Sequence, residues 1–467
     1  MERQYSQSIK RGTMDNANSI IELMVVGCLM CRLGFPGNLA DVFGGESIHF
    51  AFDYASSFLQ LVLIMLCSAN NVLEIKLFEL KKKYQPVYVM LLIMYAVSLL
   101  VSGNRVKQTT IILRFSITVF FGLWLADHYE PEHILELLYF AQIGILITNL
   151  LTLFVFKSAG YYYDGDYGYT FRGIFGQKNG LGSTFAYGAL FQITLFRMKM
   201  KKKIRVSTMF WVVLALQLYL LIISKATTAI FCCAVPLVYQ ILYDRFKSEG
   251  RIQWGIVYTV ASVGFLFVSM TILSLFAPMI EAIGKDATLS GRIPMWEKII
   301  QFLTENNTLT GYGLLQFWET PSALKRLQEY FERGSWYRTM AYGAHNNLLE
   351  MWLDLGLIGL SAFFLTLIHC FRNVKKMTRD EYIFTTIIIL PIMISGFTDR
   401  FFTNSNARTM LMFTMMGVAY NNTERNKKRF GNGRRNLDKQ VPSVRDTLPN
   451  LPGRSNSDVI EQGGVKQ

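Results

Sequence analysis

Apolar segments recur along nearly the whole chain, and charged residues gather between them. The runs are about 17–25 residues long, which is the length a helix needs to cross a hydrocarbon core about 30 Å thick. The pattern predicts an all-α polytopic membrane protein with about twelve transmembrane helices. These spans are expected at residues 19–35, 49–69, 85–103, 106–126, 133–157, 175–196, 206–224, 226–243, 254–279, 346–370, 383–398 and 407–420.

Composition and charge agree with this prediction. Apolar residues make up 51% of the chain and charged residues only 17%, against about 25% in soluble domains. Lysine and arginine crowd the short connections at 76–83, 197–205 and 372–379. The positive-inside rule therefore predicts a cytoplasmic-membrane protein with both termini in the cytoplasm, although the short connection 127–132 has neither residue. The net charge of +14 is then mainly a topology signal, and no nucleic-acid partner is expected.

The chain divides into three parts on this basis. Residues 1–18 form a cytoplasmic N-terminus, residues 19–421 form the transmembrane domain, and residues 422–467 form a basic tail whose composition predicts disorder. The largest connection on the extracytoplasmic side, residues 280–345, is called the outer loop below. Apolar residues at helical spacing predict two amphipathic helices in it, one through Ile293, Trp296, Ile299, Ile300 and Leu303 and the other through Leu324, Leu327 and Phe331.

The end of the outer loop carries the most informative stretch. His345 stands where the loop re-enters a membrane helix, and Asn346, Glu350 and Asp354 follow at intervals of four residues. They form one polar stripe on an otherwise apolar helix. Ionisable residues in a membrane usually face a watery cavity or a partner, so the stripe indicates a functional site. The alternative is a polar helix start just outside the bilayer.

A second candidate segment covers residues 169–182, at the mouth of another span. Arg172 and Lys178 bracket it, and four glycines lie between residues 173 and 182. Glycine allows close backbone approach to a ligand, and a helix start favours an anion. Lys178 and Asn179 are therefore candidate substrate-binding residues. Tight helix packing would explain the same glycines equally well.

Arg172, Arg292 and His345 together fit one reaction class. Guanidinium groups bind phosphate bidentately, and histidine accepts a proton near neutral pH. Transfer from a lipid-linked sugar diphosphate needs both a group that binds the diphosphate and a group that accepts a proton, so these three are the candidate catalytic residues. Further candidates for binding or stacking on sugar are Trp296, Asn346, Glu350, Trp336 and the tyrosines at 161–163, although aromatic residues also anchor proteins at membrane interfaces. The Cys-x-x-Cys at 28–31 has no further ligand cluster, so neither a metal nor a cofactor is expected.

Four short motifs in order along the chain carry a resemblance to a known family. They are Arg-Gly-x-Phe-x-x-x-Asn at 172–179, Ser-Gly-Arg with a following Trp at 290–296, Gly-x-Gly at 311–313, and Ala-His-Asn…Glu…Gly-Leu-Ile-Gly at 344–359. The set resembles the O-antigen ligase and polymerase family over roughly residues 140–400. The resemblance implies a polytopic, inverting, metal-independent glycosyltransferase related to the C-type membrane fold, which uses polyprenyl-diphosphate-linked glycans. Its paired arginines and loop histidine would correspond to Arg172, Arg292 and His345.

These observations favour a polysaccharide polymerase, which transfers a polyprenyl-diphosphate-linked glycan onto a sugar hydroxyl of another lipid-linked repeat unit. A ligase that transfers the finished glycan to lipid A core or a protein uses the same donor chemistry and is the first alternative. A transporter or flippase of lipid-linked glycans is the alternative of another class. The expected partners are the lipid-linked oligosaccharide and membrane lipid, with other polysaccharide-assembly proteins as further candidates.

Overall fold

The computed structural model describes most of the predicted membrane domain and part of the outer loop. The described residues are 19–43, 45–69, 82–164, 168–246, 251–266, 268, 292–331, 343–372, 374–400 and 406–421. The predicted N-terminus (1–18), the basic tail and Trp336 lie outside these ranges.

Helices dominate the described chain, as the apolar pattern predicts. In chain order they are α1 (19–32), α2 (Leu39–Phe43), α3 (Glu46–Ala69), α4 (Gln85–Val101), α5 (Arg105–His128), α6 (Pro131–Phe154), α7 (Lys157–Gly160), α8 (Lys178–Lys201), α9 (Thr208–Ile223), α10 (Thr227–Arg245), α11 (Trp254–Leu266), α12 (Arg292–Glu305), α13 (Pro321–Glu329), α14 (Asn347–Phe371), α15 (Arg379–Gly396) and α16 (407–421).

Five helical segments in the described ranges are long and apolar enough to cross a membrane. They are Lys82–Val101, Arg105–His128, Pro131–Phe154, Thr227–Arg245 and Asn347–Lys376. Shorter apolar helices lie at Ala51–Met65, Thr208–Ile223 and Trp254–Leu266. The prediction of an all-α multi-pass membrane protein is thus confirmed in outline. A helix lies at each of the twelve predicted positions within the described residues, although residues 267 and 269–279 of the ninth predicted span lie outside them, and the number of helices that span the membrane stays a prediction.

The helices pack around α8 and α10. Helix α8 lies against α6, α9 and α10, α10 lies against α15, and α14 lies against α4. At Gly182 of α8, an added Cβ would come within 2.6 Å of the Cβ of Ala226. Such close approach is typical of small residues at helix interfaces in membranes. Gly182 therefore fits the packing explanation rather than an anion site.

A small β-hairpin interrupts the helical fold just before Arg172. Strand β1 (Tyr161–Asp164) pairs antiparallel with β2 (Gly168–Phe171), with Tyr161 opposite Phe171. These residues lie between the predicted spans 133–157 and 175–196, and an all-α description omits the hairpin. Runs of tyrosine with threonine and phenylalanine have a high strand propensity, which accounts for the hairpin.

The described part of the outer loop contains two helices, α12 and α13, and a compact turn between them. Ile293, Trp296, Ile299 and Leu303 form the buried face of α12, at the spacing expected for an amphipathic helix. In α13 the buried residues are Ala323 and Leu327. Both helices therefore pack against the rest of the protein through their apolar faces.

Helix α14 is broken at Gly356, and the outer loop fills the break. Gly356 has a φ of 62°, which interrupts the helical hydrogen bonds. The N–H groups of Tyr312 and Gly313 donate to the carbonyls of Leu353 and Asp354 at 2.9 and 2.7 Å. Irregular backbone is tolerated at membrane depth only where protein or a cavity satisfies it. The Gly-x-Gly motif at 311–313 thus supplies N–H groups that bind the carbonyls left without helical partners at the break in α14.

Candidate functional site

His345 occupies a strained position immediately before α14. Its φ is 48°, in the left-handed region that residues other than glycine rarely adopt. The next residue, Asn346, caps the helix: its side-chain oxygen accepts from the N–H groups of Leu348 and Leu349 at 3.0 and 3.2 Å. The Asn346 amide also donates to the carbonyl of Phe397, after α15. Strained backbone persists where its surroundings hold it, and it is concentrated at functional sites.

The peptide before His345 is held from both sides. Trp296 Nε1 donates to the carbonyl of Ala344 at 2.7 Å, and the Glu350 carboxylate accepts from the Ala344 N–H at 2.5 Å. Glu350 also accepts from Trp318 Nε1 at 2.8 Å. This arrangement joins α12, the outer loop and α14 at the position of His345.

This geometry changes the roles expected for several candidate residues. Trp296 has no exposed surface and its indole N–H is bound to Ala344, so stacking of its ring on a sugar stays a prediction that this geometry does not favour. Asn346 and Glu350 are each 1% exposed and bind backbone groups. All three therefore fit positioning roles better than direct contact with substrate. Asp354, also buried, faces the backbone of Leu315 and Phe317. The polar stripe on α14 thus faces protein partners.

Charged residues from other elements act electrostatically on His345. Arg292 is the first residue of α12, while Asp399 and Arg400 follow the end of α15. Asp399 forms an ion pair with Arg408 at 2.9 Å, which ties the start of α16 to the site. Burial lowers the pKa of Arg292, and the nearby Asp399 carboxylate acts in the opposite direction.

The same surroundings keep the His345 ring neutral. Burial lowers the pKa of His345 below its ordinary value of 6.5, and the charges of Arg292 and Arg400 lower it further. Asp399 opposes them. Because the pKa is lowered, the imidazole is predominantly unprotonated at neutral pH. It can therefore accept a proton, as a general base must.

Arg172 is positioned by the hairpin and by α6. Its backbone N–H donates to the carbonyl of Gly160 at 2.8 Å, and its guanidinium lies over the ring of Tyr162, 5.5 Å from the centroid. Asn149 of α6 fixes the following turn by accepting from the Ile174 N–H at 3.1 Å. These contacts do not link Arg172 to the other two candidate residues. A shared cavity lined by Arg172, Arg292 and His345 therefore stays a prediction.

The remaining candidates lie at the start of α8 and on the hairpin. Lys178 is the first residue of α8 and is half-buried, and Asn179 beside it is exposed. Tyr161 and Tyr163 are 37% and 70% exposed, whereas Tyr162 stacks on Arg172. Two tyrosines thus remain accessible to a sugar or to the membrane interface.

A small cleft, with room for about one water molecule, lies beside the helix cap at Asn346. Helix α11 lines it with Tyr258 and Ser262, and Phe397 and the first turns of α14 close the other side. It therefore places polar groups between three helices next to the His345 segment.

Sequence analysis missed Asp399, Arg400 and Arg408. All three stand in or beside the short connection 397–406, which the predicted topology puts on the same side as the outer loop. Three ionisable residues in a short connection between two apolar spans were the available signal. None of the candidate residues predicted from the sequence lies in this connection.

Two comparisons with known proteins indicate the family that the chain resembles. Residues 211–364 match the model of a family described as O-antigen ligase. The chain is also similar to the exopolysaccharide production protein ExoQ of Rhizobium meliloti (strain 1021), with 27% identity over 230 residues, 47% of this chain. The match spans about half the length of that relative, 51% of it.

The resemblance to the O-antigen ligase and polymerase family is thereby confirmed. The segment that matches the family model begins in α9 and ends in α14, so it contains Arg292, His345 and the residues that clamp Ala344. Arg172 and the Asp399–Arg408 pair lie outside that segment. Both findings support a ligase or a polymerase, and neither supports the transporter alternative.

Proposed function

We propose that the protein is a polysaccharide polymerase. It transfers the glycan of one polyprenyl diphosphate onto a sugar hydroxyl of another lipid-linked repeat unit. The observation that carries this proposal is the pairing of a neutral, strained His345 with the Arg292 guanidinium at the end of the outer loop. The charge of Arg292 acts on His345, which supports a base working together with a phosphate-binding cation.

The proposed reaction is a single displacement at the anomeric carbon of the donor sugar. The acceptor hydroxyl gives its proton to the His345 imidazole while its oxygen forms the new glycosidic bond. The bond between the anomeric carbon and the diphosphate oxygen breaks, and its electron pair leaves with the polyprenyl diphosphate. Arg292 and Arg172 stabilise the negative charge that grows on this leaving group. The imidazolium then releases its proton to water.

Attack from the face opposite the diphosphate makes the transfer inverting. The arginines provide the positive charge that a metal ion would otherwise supply, so we expect no metal requirement. In the part of the chain that the structure describes, no group of three or more His, Cys, Asp or Glu side chains could hold a metal. We also propose that the domain is related to the C-type membrane glycosyltransferases. It would lie in the cytoplasmic membrane with both termini in the cytoplasm.

A ligase is the second candidate, because it would use the same donor site and differ only in its acceptor. The name of the similar protein refers to exopolysaccharide production. That favours polymerisation of an exopolysaccharide over transfer to lipid A core.

The test uses the purified protein in detergent with a synthetic polyprenyl-diphosphate repeat unit and a chelator. A polymerase lengthens the glycan on polyprenyl diphosphate, whereas a ligase gives product only when a core-lipid acceptor is added. His345→Ala should lower turnover by about a hundredfold or more, the usual size of a general-base effect. His369→Ala is the matched control, since His369 lies in the last turn of α14, beyond the break at Gly356. Absence of any product with either acceptor would refute the proposal.

A further inference from the structure

The connection between α1 and α2, residues 33–38, is bonded to the turn that carries Arg172. This turn, residues 172–176, is called the Arg172 turn below. The N–H of Asn38 donates to the carbonyl of Ile174 at 2.7 Å, and the side-chain amide of Asn38 donates to the carbonyl of Phe175 at 2.5 Å. One asparagine thus binds two consecutive carbonyls of the turn from a part of the chain more than a hundred residues away.

Two glycines allow the connection to come this close. At Gly37 the φ is 53°, and an added Cβ would lie 2.0 Å from the carbonyl oxygen of Ile174. At Gly34 an added Cβ would lie 2.7 Å from the ring of Phe175. A side chain at either position would push the two segments apart. The sequence of the connection therefore suits direct contact with the Arg172 turn.

Helix α6 holds the same turn through Asn149. The side-chain oxygen of Asn149 accepts from the Ile174 N–H at 3.1 Å, while its NH2 group donates to the carbonyl of Ile145 in its own helix at 2.8 Å. The second bond fixes which end of the amide faces the turn. Because Asn149 has no exposed surface, loss of its side chain would leave the buried Ile174 N–H without a partner, which is costly.

The Arg172 side chain has weaker contacts than the main chain of its turn. Its Nη1 atom lies 3.4 Å from the carbonyl oxygen of Gly176, and its guanidinium lies 5.5 Å from the centroid of the Tyr162 ring. Its buried Nε atom has no hydrogen-bond partner among the described residues. The direction of the guanidinium therefore depends mainly on where the turn holds the main chain of Arg172.

We propose that Asn38, together with Asn149, is a positioning residue that directs Arg172 toward the leaving group of the transfer reaction. This inference rests on the proposed function, in which Arg172 stabilises the charge on the departing diphosphate. The two asparagines hold the turn and do not touch the substrate. Displacement of a catalytic group by about 1 Å can lower the rate about a hundredfold. The α1–α2 connection, which lies outside the segment 211–364 that matches the family model, thus takes part in the site.

The test compares the turnover of purified variants in detergent with a synthetic polyprenyl-diphosphate repeat unit. Asn38→Ala removes the side-chain donor and keeps the main-chain bond to Ile174. It should lower kcat by about tenfold and change KM less, because the charge that Arg172 stabilises grows in the transition state. Asn149→Ala should act in the same direction.

The matched control is Asn421→Ala, at the predicted cytoplasmic end of α16. The side-chain amide of Asn421 also donates to a main-chain carbonyl of another helix, that of Ala126 at 2.6 Å. Its loss removes a bond of the same kind on the other side of the membrane domain. The kcat of Asn421→Ala should therefore equal that of the parent enzyme, and a tenfold loss there as well would overturn the inference.

A double-mutant cycle separates the positioning of Arg172 from a general loss of structure. Arg172→Gln removes the guanidinium, so the further change Asn38→Ala should lower the remaining turnover by no more than about twofold. Long incubations with excess enzyme make this remaining turnover measurable. A purely structural role of Asn38 would lower turnover by the same factor in both backgrounds, and that result would overturn the inference.

The outcomes also separate this inference from the proposed function. If Arg172→Gln keeps the turnover of the parent, the role of Arg172 in the proposed function is refuted, and the inference is refuted with it. If Arg172→Gln loses turnover and Asn38→Ala does not, the inference alone is refuted. Should Asn38→Ala fail to fold, as judged by gel filtration, Asn38→Asp decides, because it keeps the size of the side chain and replaces the NH2 donor with a carboxylate oxygen. Turnover equal to that of the parent would then overturn the inference.

Discussion

Gly356→Ala tests whether docking of the outer loop into the broken helix supports the site. An added Cβ at residue 356 would lie 2.2 Å from the carbonyl oxygen of Leu309 and 2.4 Å from the nitrogen of Thr310. Both are backbone atoms, so the loop must move. The φ of 62° would also be strained for alanine. We therefore expect the segment around residues 308–313 to detach from α14.

The size of the effect follows from the contacts. Left-handed backbone costs alanine about 1–2 kcal/mol. The two hydrogen bonds accepted by Thr308 and Leu309, from the N–H groups of Leu357 and Ile358 at 3.0 and 3.1 Å, break first. At about 1 kcal/mol net for each bond, the local opening free energy falls by about 3–4 kcal/mol. That corresponds to faster amide exchange by a factor of a hundred or more.

Hydrogen exchange monitored by mass spectrometry on the protein in detergent measures this directly. Peptides that contain Tyr312 and Leu357 should exchange faster in Gly356→Ala, and polymer length should fall because Trp318 no longer holds Glu350 beside His345. Gly27→Ala is the control, since a Cβ on Gly27 of α1 meets no atom within 4 Å. Parent-like exchange in Gly356→Ala would refute the account of the broken helix.

Three further predictions concern the site itself. Arg172→Lys and Arg292→Lys should each lose long glycan chains in cells at equal membrane abundance, because lysine lacks the bidentate fork; normal chains in both would exclude clamping by these residues. The turnover of the parent enzyme should fall as the pH decreases, with its half-maximal point below the ordinary histidine value of 6.5, since the pKa of His345 is lowered; a half-maximal point above that value would contradict the assignment. Trp296→Phe leaves the carbonyl before His345 unsatisfied at a cost of about 1–3 kcal/mol, so it should reduce kcat more than it raises KM, with the partly exposed Trp211→Phe as control; unchanged kcat would argue against the clamp.

The hydrogen bonds of Trp296 and Glu350 to Ala344 are the means by which buried residues would act on the proposed reaction without touching the substrate. Trp296 and Glu350 hold one peptide by its carbonyl and its N–H, and the strained φ of His345 follows directly after it. Displacement of a catalytic group by about 1 Å can cost a hundredfold in rate. The packing of the outer loop therefore determines where the His345 side chain is placed.

The sequence alone was sufficient for the features that depend on local pattern. Helix positions follow from apolar runs, because each residue in a bilayer needs its backbone bonded within its own segment. The amphipathic face of α12 follows from the spacing of Ile293, Trp296, Ile299 and Leu303. Arg292 and His345 could also be selected as candidate site residues, since charged and titratable groups at the ends of a loop are conspicuous in so apolar a chain.

Only the tertiary structure decided which side chains meet. Trp296 looked like a sugar-binding ring until its indole was found buried against Ala344, more than forty residues away in sequence. The Gly-x-Gly at 311–313 had no assigned role until it was found docked at the break in α14. Arg400 and Asp399 reach His345 from another connection altogether. Spacing along the chain predicts neighbours on one helix, but contacts between separate helices depend on how the whole bundle packs.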